Sequence, residues 1–299
     1  MFFRNLIFFR LPANWAMTAE RLADSLSKLA FQPSSALETE RHGWVPPVRH
    51  GGLVHAVQNQ WLVALRMEKK LLPNPVVKQI TEEKAQELEE QQGFRPGRKQ
   101  LRELKQRVFE ELLPKAFVTQ RTLYAWIDPV NGWFAVDTSS RARAEDLISA
   151  LRQCVEDFPL SVVRTQLSPA SAMTGWLASG ESPAGFTVDR DCELMRPNEE
   201  KSVVRYVRHP LEGEEVRGHI ADGKIATRLA MTWDDRLSFV LTDGLEVKRL
   251  AFLDIIKEQA ETQADSADDD AEFLLNAGEL CRFLPDLIEA LGGEEKEEG

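Results

Sequence analysis

Apolar and polar residues alternate in some parts of the chain and follow helical spacing in others. The apolar run at 1–11 predicts a first strand, and Thr18 can cap a following helix whose leucines recur at spacings of four and three. The sequence GWVPP at 43–47 is expected to break this pattern. Two alternating runs at 53–57 and 61–67, joined by a short polar link, then predict a β-hairpin.

A polar stretch of helical composition comes next. Helices are predicted at 78–92 and 98–111, with the turn-forming sequence GFRPG at 93–97 between them. In the second helix the apolar residues form one narrow seam, which is too narrow for a helix surrounded by core. We therefore predict a helical hairpin that protrudes from the rest of the protein, called the finger below.

Alternating runs return in the middle of the chain. An Asn-Gly pair separates the runs 122–128 and 133–138, which is a strong hairpin signal. A helix over 143–155, a strand near 160–165 and a helix capped by Ser168 follow. In the last third, strands are predicted near 203–207, 225–233, 237–242 and 245–252, and helices around 254–263 and 277–291.

Hairpins outnumber helix crossovers in this order of elements. The pattern therefore predicts an α+β fold in which mainly antiparallel sheets pack with helices. The predicted units are a central α+β domain, the finger, and a C-terminal α+β domain with an acidic end: 1–75 with 117–180, 76–116, and 181–299.

The charge of the chain depends strongly on position. The 299 residues include 37 Lys and Arg against 48 Asp and Glu, a net charge of -11 that argues against a polyanion-binding protein. However, 257–299 alone holds fourteen acids and three bases, so the rest of the chain is neutral. The segment 41–80 holds six bases against Glu68. A basic surface is therefore compatible with the acidic composition.

Basic residues are concentrated in and around the finger. The segment 95–107 carries six bases against one acid, whereas 78–92 carries two bases against five acids, so one alternative is a solvated hairpin whose arms neutralise each other. The flanking bases favour a surface that faces phosphates. The candidate DNA-binding residues, including two from the last third, are Arg66, Lys69, Lys70, Lys78, Arg95, Arg98, Lys99, Arg102, Lys105, Lys115, Arg121, Arg205 and Arg208.

Motifs for nucleotide or metal binding are incomplete. The segment 218–224 matches the first seven positions of a P-loop, but Ile225 lacks the required hydroxyl and the predicted order is helix then strand, which favours a helix C-cap glycine. A calcium loop starting at Asp268 would have Phe273 where glycine is required. The three cysteines and five histidines show no metal-binding spacing, so no metal or cofactor is expected.

One catalytic alternative remains open. Asp234-Asp235, followed by Glu246-Val247-Lys248, resembles the arrangement with which some nucleases hold a metal and position water on strands. A metal-dependent nuclease that uses Asp235, Glu246 and Lys248 is therefore the alternative function. Hairpins also commonly place acids at the turn and lysine on the exposed face, which is the structural alternative.

The sequence also bears on location. Arg4 and Arg10 interrupt the apolar start, no small-residue cleavage site follows, and no run of about 18 uncharged apolar residues occurs. Free cysteines fit a reducing compartment. The protein is expected to be cytoplasmic, with no membrane contact.

Several segments together resemble one family, the bacterial recombination-associated protein RdgC. Their order and spacing carry the resemblance over essentially the whole length. They are GWVPP at 43–47, EKKLLPNPVVKQ at 68–79, LLPKAF at 112–117, WID at 126–128 with Asn131-Gly132, TRLAMTW at 227–233 and LIEALGGE at 287–294.

The resemblance implies a non-enzymatic, nucleoid-associated homodimer. It implies a ring whose basic central hole encircles duplex DNA, sequence-independent binding of double- and single-stranded DNA, and antagonism of RecA-dependent strand exchange. Lys115 and Phe117 at the base of the finger, with Arg208 and His209, are the candidate dimer contacts, although a core position is the alternative for Phe117. The acidic end is expected to keep DNA away from the outer surface.

Overall fold

Two antiparallel sheets and seven α-helices make up the described part of the chain, and this computed structural model describes residues 2–12, 15–198, 201–254 and 269–295. The strands are β1 (Ile7–Arg10), β2 (Glu40–Val45), β3 (Val54–Val57), β4 (Gln60–Leu71), β5 (Phe117–Asp128), β6 (Trp133–Val136), β7 (Ser161–Val162), β8 (Phe186–Met195), β9 (Val203–Tyr206), β10 (Ile225–Trp233), β11 (Leu237–Thr242) and β12 (Val247–Phe252). The helices are α1 (Ala19–Ser27), α2 (Asn74–Gln92), α3 (Arg98–Leu112), α4 (Arg141–Cys154), α5 (Pro169–Ser179), α6 (Glu214–Ala221) and α7 (Asp269–Ala290), with a short 3-10 helix at Leu113–Lys115. The predicted α+β class with antiparallel sheets is confirmed.

The strands form two sheets that the N-terminal segment joins. The first sheet has the order β2-β4-β5-β6-β1-β7, with β3 also paired to β4, and the second has the order β12-β11-β10-β8-β9. Before entering the first sheet, the chain pairs with the edge of the second: the Leu6 amide donates to the Val247 carbonyl (2.7 Å), and the Val247 amide donates back (3.0 Å). The first strand therefore connects both sheets.

Two apolar clusters hold these layers together. Helices α1 and α4 cover one face of the first sheet, where Leu22 and Leu147 are fully buried with Leu65. The opposite face contributes Trp126 to a larger cluster that includes α7 and the inner face of the second sheet. Burying large side chains of this kind stabilises the fold by about 1.5–3 kcal/mol each. The outer face of the second sheet is left exposed or partly exposed, as Arg228 illustrates.

Helix α7 is fixed to the second sheet by buried polar contacts. The Glu279 carboxylate is fully buried and accepts hydrogen bonds from Arg236 Nε (2.8 Å) and Nη2 (2.6 Å) and from Arg282. The Trp233 indole donates to Asp286 Oδ2 (2.9 Å). A buried carboxylate with two guanidinium partners is costly to disrupt, about 3–5 kcal/mol when one partner is removed.

The last described residues are tied to the first strand. Arg10 donates to both carboxylate oxygens of Glu294 (Nε–Oε1 3.0 Å, Nη2–Oε2 2.8 Å), and its guanidinium carbon lies 3.4 Å from the centroid of the Trp133 ring. The Gln166 amide donates to the Gly293 carbonyl (3.0 Å), and Gly292 and Gly293 take positive φ values of 86° and 93° that glycine adopts without strain. Glu294 thus has a structural contact within the chain.

Most of the predicted elements are present. The strands at Ile225–Trp233 and Leu237–Thr242 have the predicted bounds, and Thr18 and Ser168 cap their helices by accepting from the amides of Arg21 (3.3 Å) and Ser171 (3.2 Å). Consecutive helices, α2 and α3, occupy the stretch predicted for the finger. The helix expected at 254–263 lies largely outside the described residues, and the domain boundaries stay a prediction.

Some expectations were wrong. The segment at 43–47 does more than end a helix, because Glu40–Val45 forms β2. Gly43 allows this strand to pass close to the preceding segment: a Cβ at this position would lie 2.5 Å from Phe31 Cα. Strand β8 was missed because its charged residues interrupt the apolar alternation, and the strand near 160–165 is only two residues long, Ser161–Val162.

Candidate nucleic-acid interface

The long pair of strands β4 and β5 leads from the core to the helices α2 and α3. The two strands pair from Trp61 opposite Ile127 to Leu71 opposite Phe117. Their inner halves are buried, whereas all five residues at the start of β5, 117–121, are exposed. The sequence folds this way because its apolar alternation is confined to the half that packs against α1 and α4. Polar and basic side chains therefore occupy the outer half and the helices beyond it.

Helix α3 carries cations that remain unpaired. Its apolar seam includes Leu101, Leu104 and the fully buried Val108, and α2 and α3 contact each other. In the described part of the chain, the exposed bases of α3 and of the turn before it form no ion pair. These bases are Arg95, Arg98, Lys99, Arg102, Lys105 and Arg107. We call them the α3 cations.

The acids of α2 do not neutralise the α3 cations. Lys78 pairs with Glu82 on its own helix (3.6 Å), and the ion pair between the two helices joins Lys84 to Glu111 (2.5 Å). The hydrogen bond from Lys84 lowers the pKa of Glu111, and the nearby charges of Lys115 and Arg107 lower it further. Among the described residues, one ion pair therefore joins the two helices, and its cation, Lys84, is not one of the α3 cations.

The bases on β4 and β5 have different environments. Lys69 is exposed and lies 3.6 Å from Glu40, while Arg121 is exposed and forms no ion pair among the described residues. The Arg66 guanidinium carbon lies 5.5 Å from the centroid of the Phe31 ring. Lys70 is only 9% exposed, and its ammonium donates to the carbonyls of residues 35 (2.7 Å) and 36 (2.6 Å). The structure therefore gives Lys70 a role in holding a loop, and we omit it from the candidate interface.

A second set of bases lies on the outer face of the second sheet, and here the charges are compensated. Arg205 Nε lies 2.5 Å from Glu193, Arg228 lies 3.9 Å from the same carboxylate, and Arg249 lies 3.8 Å from Asp191. Burial raises the pKa of Glu193, but hydrogen bonds from Arg205 and Thr227 and the charge of Arg228 outweigh this effect and lower the pKa. The carboxylate therefore remains ionised beside its arginines.

Sequence reasoning missed several of these bases. Arg228 and Arg249 were not proposed, and Lys248 was proposed only for the nuclease alternative. Arg228 occupies a polar position in the alternation of β10 and could have been found from that period. Arg208, which was proposed, is exposed at a positive φ of 52°, and its amide donates to Asp191 Oδ1 (2.7 Å). His209 is also exposed and lies against the Tyr206 ring, with 5.3 Å between ring centroids.

The nuclease residues are not brought together. Asp235 lies in the turn before β11, and Glu246 lies in the turn after it, so the six residues of β11 separate them by about 20 Å. Glu246 is 8% exposed and is held by Arg141 (2.6 Å) and Lys248 (2.8 Å). Burial raises the pKa of Glu246, but these two hydrogen bonds outweigh it and lower the pKa. The geometry does not favour a metal site formed by Asp235, Glu246 and Lys248.

The other motifs have structural explanations. Helix α6 ends at Ala221 and β10 begins at Ile225, so the P-loop-like segment runs from helix to strand as expected, and Lys224 Nζ lies 3.1 Å from His219 Nδ1. No group of three or more potential metal ligands occurs within the described ranges. None of the helices in those ranges is both long enough and apolar enough to cross a membrane.

These features define a class of protein: an α+β protein with two antiparallel sheets, two consecutive helices between β4 and β5, and exposed basic side chains along the second of these helices. The chain belongs to the RdgC family, because the family model described as "Putative exonuclease, RdgC" matches residues 1–294.

Curated relatives support this membership over the full length. The chain is 53% identical to the recombination-associated protein RdgC of Dechloromonas aromatica, covering 98% of both chains. It is 53% identical to the protein of the same name from Cupriavidus pinatubonensis, covering 99% of this chain and 100% of the relative. The corresponding protein of Herminiimonas arsenicoxydans is 52% identical, with 99% of both chains covered. The predicted family is therefore confirmed.

Proposed function

We propose that this protein binds double- and single-stranded DNA without sequence specificity and acts in recombination without catalysing a reaction. The observation that carries the proposal is the row of exposed α3 cations, which form no ion pair within the described ranges and are extended by Lys115 and Arg121 on the adjoining elements. Lysine and arginine that meet phosphates release condensed counterions, which gives affinity that falls with salt and is almost independent of sequence. The names of the relatives support a recombination-associated role.

We further propose that two copies close into a ring around duplex DNA, with the α2–α3 pair as a protruding finger. Phe117 is 85% exposed and pairs across the strands with Leu71, which is 49% exposed. An exposed aromatic and aliphatic cluster of this kind suits a subunit contact. Lys115, two residues before Phe117, is also exposed. In the second sheet region, Arg208 and His209 follow Val207, which is 68% exposed. These residues are the proposed dimer contacts.

The dimer can be tested by native mass measurement. The expected result is a mass of two chains at micromolar concentration, with dissociation increased by Phe117→Ser. A monomeric mass for the unaltered protein at that concentration would overturn the ring.

The proposed ring limits RecA-dependent strand exchange by occupying the DNA, and it keeps the protein on the nucleoid in the cytoplasm. A variant that lacks the α3 cations is then expected to lose both DNA binding and inhibition of strand exchange. Inhibition that persists without DNA binding would show that the protein acts on RecA directly and would overturn the occupancy mechanism.

Absence of catalysis is tested by incubating the protein with linear duplex and single-stranded DNA in magnesium. We expect both substrates to remain intact. Cleavage that is lost in Glu246→Ala would overturn the non-enzymatic proposal and support the nuclease alternative. Glu246 is buried and pairs with Arg141 and Lys248, so Glu246→Ala can destabilise the fold. The melting temperature of the variant is the folding control.

A further inference from the structure

A groove of about 800 Å³ runs between helix α4 and the outer halves of β2, β4 and β5. Its floor comes from the strands and includes Leu65 and Met67, and one wall comes from the exposed side of α4. This volume falls within the range of about 300–1,000 Å³ that is typical of small-ligand sites. The groove is therefore large enough for a few nucleotides of one strand but too small for a duplex.

Two unpaired cations face the groove from opposite sides. Arg121 lies on β5 and Arg143 on α4, both are exposed, and neither forms an ion pair in the described ranges. They come from different elements, more than twenty residues apart in the chain, so they meet here only through the fold. Two cations across a narrow groove can contact successive phosphates of a strand lying between them.

Two of the three acids that line the groove have partners within the chain. Glu40 lies 3.6 Å from Lys69. Glu68 accepts from the amide (2.8 Å) and hydroxyl (2.5 Å) of Ser34 and from Gln120 Nε2 (2.8 Å). The Ser34 contacts and the Gln120 hydrogen bond lower the pKa of Glu68, so it stays ionised in this network. Asp146 on α4 is exposed and forms no ion pair among the described residues, and with Glu40 and Glu68 it gives the groove three acids against the four bases Arg41, Lys69, Arg121 and Arg143.

The rest of the lining suits the other parts of a nucleotide. Ser149 and Gln153 on α4 supply polar side chains along the wall, and His42 supplies a ring on β2. Met67 is partly exposed on the floor, where its polarizable thioether can contact the face of a base. Contacts to backbone charge and base faces, without a pattern for base edges, are typical of sequence-independent single-strand binding.

We infer that this groove binds a short run of single-stranded DNA, with Arg121 and Arg143 on its phosphates and Met67 beneath a base. The inference rests on the proposed DNA-binding function and assigns its two kinds of DNA to different sites. The α3 cations contact duplex DNA, and the groove binds single-stranded DNA. Asp146 opposes binding in this arrangement.

The test compares Arg143→Gln with Arg152→Gln by fluorescence anisotropy on oligo(dT) and on a blunt duplex of the same length. Arg152 lies on the same helix, is exposed and does not line the groove. Arg143→Gln is expected to weaken oligo(dT) binding about tenfold, the equivalent of removing one hydrogen bond to a charged group. Its log-log salt slope on oligo(dT) should fall by about 0.7. Arg143→Gln should bind the duplex with the same affinity as Arg152→Gln does.

A second variant tests whether negative charge in the groove opposes binding of the strand. Asp146→Asn is expected to strengthen oligo(dT) binding, whereas it should leave duplex binding unchanged. Equal behaviour of Arg143→Gln and Arg152→Gln on oligo(dT), or equal losses on oligo(dT) and duplex, would overturn the groove. If loss of the α3 cations spared duplex binding while Arg143→Gln still weakened oligo(dT), the groove would stand and the proposed duplex surface would fail.

Discussion

The two basic regions of this protein differ in what surrounds their cations. On α3 the bases are exposed and form no ion pair with any residue that the structure describes, whereas on the outer face of the second sheet Arg205 and Arg228 share Glu193, and Arg249 lies near Asp191. A cation whose charge is already balanced by a carboxylate neutralises a phosphate less effectively, so fewer of the counterions condensed on the DNA are released. A count of lysines and arginines therefore overstates the charge available to bind DNA, and their carboxylate partners must be counted as well.

The largest expected effect comes from removing α3 cations. In Arg98→Gln/Arg102→Gln/Lys105→Gln, glutamine keeps the helix propensity while removing three charges from one face. The log-log salt slope for duplex binding is expected to fall by about 2.7, at about 0.9 for each phosphate that the variant no longer neutralises.

The matched control removes the same charge from the other region. Arg205→Gln/Arg228→Gln/Arg249→Gln is expected to change the slope by less than the value for one phosphate, about 0.9. A larger change in the control than in the α3 variant would reverse the comparison.

Freeing the compensated arginines should convert the second region into a surface like the first. Glu193→Gln removes the carboxylate that Arg205 and Arg228 share, so the salt slope is expected to rise by about 1.8 for two freed cations. Glu145→Gln makes the same change in net charge at an exposed position on α4. If both variants raised the slope equally, net charge and not local pairing would explain the difference.

The neighbouring residues Lys69 and Lys70 make a smaller version of the same comparison. Lys70→Gln is expected to reduce the free energy of unfolding by about 1–3 kcal/mol, because two carbonyls lose a charged donor, and to leave the salt slope unchanged. Lys69→Gln should lower the slope by only a fraction of about 0.9, because Glu40 already lies 3.6 Å from its ammonium, and should not cause this loss of stability. Denaturant unfolding and salt titration of both variants separate the two roles.

The smallest expected effect is the change with pH in how much Glu193 stabilises the fold. Since its pKa is lowered in the folded state, its contribution to stability is present above the unfolded pKa and is lost as pH falls through the folded pKa. The difference in melting temperature between the unaltered protein and Glu193→Gln should therefore be constant near neutrality and shrink below about pH 4.3, the ordinary glutamate value. A difference that grew on acidification would contradict the assigned pairing.

The sequence predicted the first region better than the second for a physical reason. The exposure of α3 follows from local spacing, because Leu101, Leu104 and Val108 form one apolar seam and the remaining positions before Phe109 are polar. The pairing of Arg228 with Glu193 depends on the register of β10 with β8, which shifts at irregularities between Ala226 and Arg228. Local patterns contain no signal for such a register.

Long-range contacts are also invisible to local sequence patterns. Lys70 was assigned to DNA binding because its neighbours are basic, yet its ammonium is taken up by carbonyls 34 and 35 residues earlier in the chain. By contrast, the separation of Asp235 from Glu246 could have been predicted, because the strand Leu237–Thr242 that lies between them has the bounds expected from the sequence. The groove between Arg121 and Arg143 could not be predicted, since it depends on where α4 packs.

Lysine acetylation, measured residue by residue with and without duplex DNA, tests the central claim most directly because it needs no substitution. Lys99 and Lys105 represent the α3 cations, and Lys248, which is held by Glu246, represents the outer face of the second sheet. DNA is predicted to suppress acetylation of Lys99 and Lys105 and to leave the rate at Lys248 unchanged. Protection of Lys248 with unchanged rates at Lys99 and Lys105 would contradict the account.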